Sequence, residues 1–169
     1  MASLSITVLD PTGRATAARI SVTGEDGRAY APENAWMHAD DSFVRSERPF
    51  EPHYFHSTGH CELVVPAGRA LIEVMKGFEY KFEWREISTS PGGHQLTVTL
   101  SRLSIPQEPG RQWVSGDVHL HMNYGGTYRN TPQHLVEQGE AENLQVVEDL
   151  VVNKEQRIPD IAYFRAGLD

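Results

Sequence analysis

Residues 116–121 read Gly116-Asp117-Val118-His119-Leu120-His121. On a β-strand, successive side chains alternate between faces. Asp117, His119 and His121 are therefore expected on one face, and Val118, Leu120 and Met122 on the other, as an apolar strip for packing. Two imidazoles two residues apart can converge on one cation, at roughly 2.0–2.1 Å from each nitrogen if it is zinc. The strand end is thus a candidate half of a hydrolytic metal centre. A plainer reading is two polar residues on a solvated face.

Downstream, the pattern is βαβ. Residues 113–121 form the first strand, and residues 123–130 a glycine-containing loop. Thr131-Pro132 opens a helix, with the threonine as N-cap and the proline in the first turn. The helix should run to about Asn143, with Leu135, Val136 and Ala141 on its buried side. Gly139 weakens it by roughly 1 kcal/mol relative to alanine. Residues 144–152 are a nearly continuous apolar run, as in a parallel strand covered on both faces.

Upstream, residues 1–103 read as an antiparallel β-sandwich. Alternating runs at 3–9, 18–22, 28–30, 61–65, 69–75, 80–87 and 95–100 supply about seven strands. Asp10-Pro11-Thr12-Gly13, Gly24-Glu25-Asp26-Gly27, Pro66-Ala67-Gly68 and Pro91-Gly92-Gly93 supply the turns. Residues 31–59 form a long irregular insertion rich in aromatics and histidine, including Trp36, His38, His53, Tyr54, Phe55 and His56. Either it covers the open end of the sandwich or it reaches over a neighbouring site. Residues 104–110, with two prolines and a glycine, form a linker to the second region, 111–169.

Composition narrows the function. The 169 residues carry a net charge of −8, which argues against a nucleic-acid partner. No stretch approaches the ~20 apolar residues of a membrane span. No basic-then-apolar leader is visible, and Cys61 is the only cysteine, so a cytoplasmic location is expected. His53-x-x-His56-x-x-x-His60 is a second, looser histidine cluster.

The Asp-x-His-x-His motif, Asp117 to His121, resembles the first metal motif of the PHP family, the polymerase-and-histidinol-phosphatase metallohydrolases. Two further stretches resemble its carbaryl-hydrolase-like (CehA/McbA) branch. They are Asn123-Tyr124-Gly125-Gly126-Thr127-Tyr128-Arg129-Asn130-Thr131-Pro132 and Asn153-Lys154-Glu155-Gln156-Arg157-Ile158-Pro159-Asp160. Val65-Pro66-Ala67-Gly68 and Lys76-Gly77-Phe78-Glu79-Tyr80 resemble the carboxypeptidase-regulatory (transthyretin-like) module that precedes the barrel in that branch.

The resemblance implies a distorted barrel holding zinc or manganese, with His119 and His121 as ligands and Asp117 as the acidic member. It implies hydrolysis of a small phosphoester, carboxyl ester or carbamate by metal-activated water. Lys154 and Arg157 are candidates to stabilise charge developing on the substrate, or else ordinary surface charge. Tyr124, Tyr128 and Arg129 follow the metal strand directly and are candidates to line the substrate pocket, or else part of a loop packed on the sandwich.

Glu148-Asp149-Leu150 stands where the family often has Asp-His, and no histidine follows His134. A full barrel takes on the order of 250 residues. The second region is therefore expected to be the βαβ start of a truncated barrel, with weak activity at most. Its bare sheet edge would invite self-association. The alternative is a non-catalytic β-sandwich binding module with a degenerate βα appendage.

Overall fold

The computed structural model describes residues 1–35, 53–123, 130–150, 160 and 163. The chain is mainly β. Among the described residues up to 100 there are seven strands: β1 (Ala2–Leu9), β2 (Ala18–Gly24), β3 (Phe55–Ser57), β4 (His60–Val65), β5 (Gly68–Met75), β6 (Glu83–Thr89) and β7 (His94–Thr99). They form two sheets, ordered β4-β1-β7 and β3-β2-β5-β6.

Alternation in the sequence becomes alternation in burial. Along β1, Ala2, Leu4, Ile6 and Val8 are buried while their neighbours face outward. Ala18, Ile20 and Val22 of β2 and Ala70, Ile72 and Val74 of β5 do the same. These side chains join Phe55, Leu63, Val65, Val98 and Leu100 in one hydrophobic cluster shared by both sheets. Each fully buried Ile contributes roughly 1.5–3 kcal/mol relative to an exposed one. Most pairings are antiparallel, but β1 and β7 run parallel, from Leu4↔His94 to Leu9↔Thr99.

Two expectations for this region are corrected. Residues 28–30 form no strand, only a bridge between Thr23 and Ala29. The turn itself forms, with the Gly27 N–H donating to the Gly24 carbonyl, but Pro32 has no N–H to extend the ladder. The segment 31–59 is also not wholly irregular. Its end is β3, which pairs with Ala18–Ile20 and delivers Phe55, 1% exposed, to the core. Residues 36–52, with Trp36 and His38, lie outside the described residues.

After β7, residues 103–115 contain neither helix nor strand. Then come β8 (Gly116–Leu120), α1 (Pro132–Ala141) and β9 (Val146–Asp149), with β8 and β9 paired in parallel. The first of these strands starts later than expected. Trp113 lies outside it, 60% exposed, and donates its indole N–H to the Pro106 carbonyl.

Helix α1 starts and stops where its end residues require. Thr131 is extended and its Oγ1 accepts from the His134 N–H, with Pro132 in the first turn. At the far end, Asn143 takes a φ of 54°, the Leu144 N–H donates to Gly139, and the Asn143 N–H donates to Glu140. That is a Schellman ending. The buried residues of α1 are Gly139 and Ala141, while Val136 is 56% exposed, contrary to expectation. The helix approaches its neighbours through small residues near its C-terminal end. Among the described residues, no helix is long and apolar enough to cross a membrane.

Candidate metal centre

Unbroken alternation along β8 would put Asp117, His119 and His121 on one face. The observed register breaks it. Asp117 faces Val147, but Leu120 faces Asp149, so three steps on β8 match two on β9. This is a β-bulge with one extra residue around Val118 and His119. A bulge bends its strand and re-aims side chains. Val118, expected in a packed strip, is 66% exposed, whereas Met122 beyond the bulge is buried.

The two imidazoles remain neighbours. The rings of His119 and His121 meet edge to face, with centroids 5.0 Å apart. His121 Nδ1 lies 2.9 Å from the Leu150 carbonyl oxygen. A carbonyl can only accept, so Nδ1 carries the proton and, in the neutral ring, Nε2 carries the lone pair. Metal-binding histidines are usually oriented in this way by a partner on the other nitrogen. Asp117 is used differently. Its Oδ1 accepts from the His119 backbone N–H at 3.0 Å, so the carboxylate braces the bulge.

Just past the strand, a polar network ties the loop ends together. Asn123 is 7% exposed and Asp160 is 5% exposed. The backbone and side-chain N–H groups of Asn123 each donate to one Asp160 oxygen. Asn123 Nδ2 also donates to the Asn130 carbonyl, and Asn123 Oδ1 accepts from the Asn130 N–H at 2.7 Å. Asn130 continues the chain of bonds to Thr131 and Gln138. Asp149 Oδ1 accepts from the Met122 N–H at 3.0 Å. The ends of the two stretches singled out in the sequence, 123–132 and 153–160, thus meet beside His121.

Asn123, Asp149 and Asp160 were not named as site residues from the sequence. Asn123 and Asp160 stand at the ends of the two family-like stretches, and Asp149 closes the strand that pairs with β8. Lys154, Arg157, Tyr124, Tyr128 and Arg129 lie outside the described residues. Among the described residues, no three His, Cys, Asp or Glu side chains are grouped closely enough to hold a metal. With Asp117 turned to the backbone, His119 and His121 stand as a neighbouring pair of imidazoles.

The second histidine cluster is divided. His56 Nε2 lies 3.0 Å from Glu142 of the helix end, and His60 Nδ1 lies 3.2 Å from Thr7 Oγ1. Both nonetheless line a cleft of about 660 Å³, together with Cys61, Glu62, His134 and Glu137. Burial pushes the Cys61 thiol up to about 11, partly offset by a hydrogen bond with Ser57.

No protein-family model matches the chain, and no curated protein sequence matches it. Among solved structures, it is similar to the Bacillus anthracis TIE protein, at 14% identity and a TM-score of 0.38. That likeness covers 75% of this chain and only 20% of that one, and is too slight to bear on fold or function.

Proposed function

We propose that residues 111–169 carry the first metal-ligand strand of a PHP-type metal-dependent hydrolase of the carbaryl-hydrolase-like branch. Residues 1–103 would be its leading carboxypeptidase-regulatory-like β-sandwich. The carrying observation is the imidazole pair: His119 and His121 in edge-to-face contact, with His121 oriented through Nδ1 by the Leu150 carbonyl. The parallel β8–α1–β9 unit and the meeting of Asn123 with Asp160 support the same reading.

His119 and His121 would hold a zinc or manganese ion, joined by Asp117 if its carboxylate leaves the His119 N–H. The metal, when bound, supplies Lewis acidity for hydrolysis of a small ester, carbamate or phosphoester. From the described residues alone, two firm donors imply loose binding and little turnover, since a catalytic zinc normally takes three.

Calorimetric titration with zinc and with manganese tests this reading. The wild-type chain should bind, and His119→Ala and His121→Ala should each weaken binding at least about tenfold. Equal binding by all three chains overturns it.

A second reading, a non-catalytic binding module, is favoured by the exposure of Val118 and Val146 on the two-stranded β8–β9 sheet. Sedimentation would then show self-association that Val118→Lys abolishes, with no effect of either histidine substitution on metal uptake.

A further inference from the structure

Helix α1 meets the seven-stranded unit through polar contacts at its C-terminal end. Lys76, at the end of β5, is 7% exposed. Its Nζ donates to the Ala17 carbonyl at 2.8 Å and to the Glu140 carbonyl at 2.6 Å. Ala17 leads into β2, whereas Glu140 sits in the last turn of α1, so one ammonium bridges the two units. It meets the negative end of the helix dipole, where a cation is favoured.

Glu142, the C-cap, extends the same junction. Its Oε1 lies 3.2 Å from Arg19 of β2 and 3.0 Å from His56 of β3. Gly77 closes it, since a Cβ there would collide with the Glu142 carbonyl oxygen. Around these contacts the junction is open. The 660 Å³ cleft and a second of about 440 Å³, lined by Thr58, Lys76, Glu140 and Asn143, adjoin it. Among the described residues, the apolar cluster of the seven-stranded unit contains nothing from α1, β8 or β9.

We infer that Lys76 is a positioning residue, a staple that fixes α1, and with it the strand pair bearing His119 and His121, against the seven-stranded unit. Residues 103–115 contain no regular element to hold that orientation, and little apolar packing does so. Burial without a compensating bond would disfavour a lysine ammonium, and burial does pull its pKa below the ordinary lysine value. The Ala17 carbonyl is available within the seven-stranded unit, but the Glu140 carbonyl accepts only while the helix stays docked.

Hydrogen exchange on the full chain tests the staple and needs no metal, so it stands apart from the reading of the two histidines. Lys76→Met keeps the apolar stem and removes the ammonium. It should speed exchange across residues 132–149 by about tenfold or more, while β1, β2 and β5 stay protected. Lys76→Cys in a Cys61→Ala chain, aminoethylated while unfolded, restores an ammonium at similar reach and should restore protection. Glu142→Gln should act in the same direction with a smaller effect. Unchanged exchange of 132–149 in Lys76→Met overturns the proposal. So does equal acceleration in every strand, or failure of the restored ammonium to slow exchange.

Discussion

His121 Nδ1 and the Leu150 carbonyl oxygen stand 2.9 Å apart across the end of the parallel β8–β9 pair. The strand partner thus dictates which ring nitrogen holds the proton. Nitrogen-detected NMR of the neutral ring should find His121 protonated at Nδ1 and bare of hydrogen at Nε2. A proton on Nε2 in the neutral ring would show that the carbonyl does not orient the side chain.

The Asn123–Asp160 bond should matter more for stability than for chemistry. Asn123→Ala removes three side-chain hydrogen bonds and leaves partners on part-buried Asn130 and buried Asp160. A loss of about 1–3 kcal/mol is expected. Urea denaturation measures it, and a change within error would mean that the loop ends are held by other contacts.

Two glycines separate backbone strain from collision. Gly13 has a φ of 85° with nothing near its missing Cβ, whereas Gly77 has a φ of 53° and abuts the helix end. Gly13→Ala should cost about 1 kcal/mol, from the left-handed backbone alone. Gly77→Ala should cost that and more, about 1–3 kcal/mol, because Glu142 must move. Thermal melts of the two variants give the comparison, and equal shifts would remove Gly77 from the junction.

Cys61 makes stability fall on the alkaline side. Burial raises the thiol from 9.0 to about 11, so the folded chain keeps a proton that the unfolded chain releases. Its contribution is constant below pH 9.0 and is lost as pH climbs toward 11, by about 1 kcal/mol at pH 10. Cys61→Ala should flatten that part of the stability curve. Thiol reagents should also label the native chain more slowly than the denatured chain at one pH, because less of the folded thiol is thiolate, and equal labelling would contradict the raised pKa.

The seven-stranded unit was legible wherever one face is buried and the other wet. Leu4, Ile6 and Val8 announce β1, and Ala70, Ile72 and Val74 announce β5, because a period of two leaves a visible trace. Strand β3 leaves none: three residues, one of them apolar, cannot show a period. The helix ends were legible in part. Thr131-Pro132 is a local signal, but the buried side of α1 depends on what it docks against, so Val136 was misplaced. The candidate site was legible as a pair of histidines and no further. The bulge at Val118–His119 comes from pairing with a strand some thirty residues on, seen in Asp117↔Val147, and nothing in the hexapeptide encodes it. Asp160 joins Asn123 across a similar span, outside the reach of any local pattern.

The parallel pairing of β1 with β7 also sets a timetable. Leu4 lies opposite His94, so β1 waits through about ninety further residues of synthesis for this second neighbour. Until then Leu4, Ile6 and Val8 have only a partial lining, and closing so wide a loop is slow. Strand β1 is central in its sheet, and a nascent chain halted before Thr99 would leave one of its edges bare for chaperones.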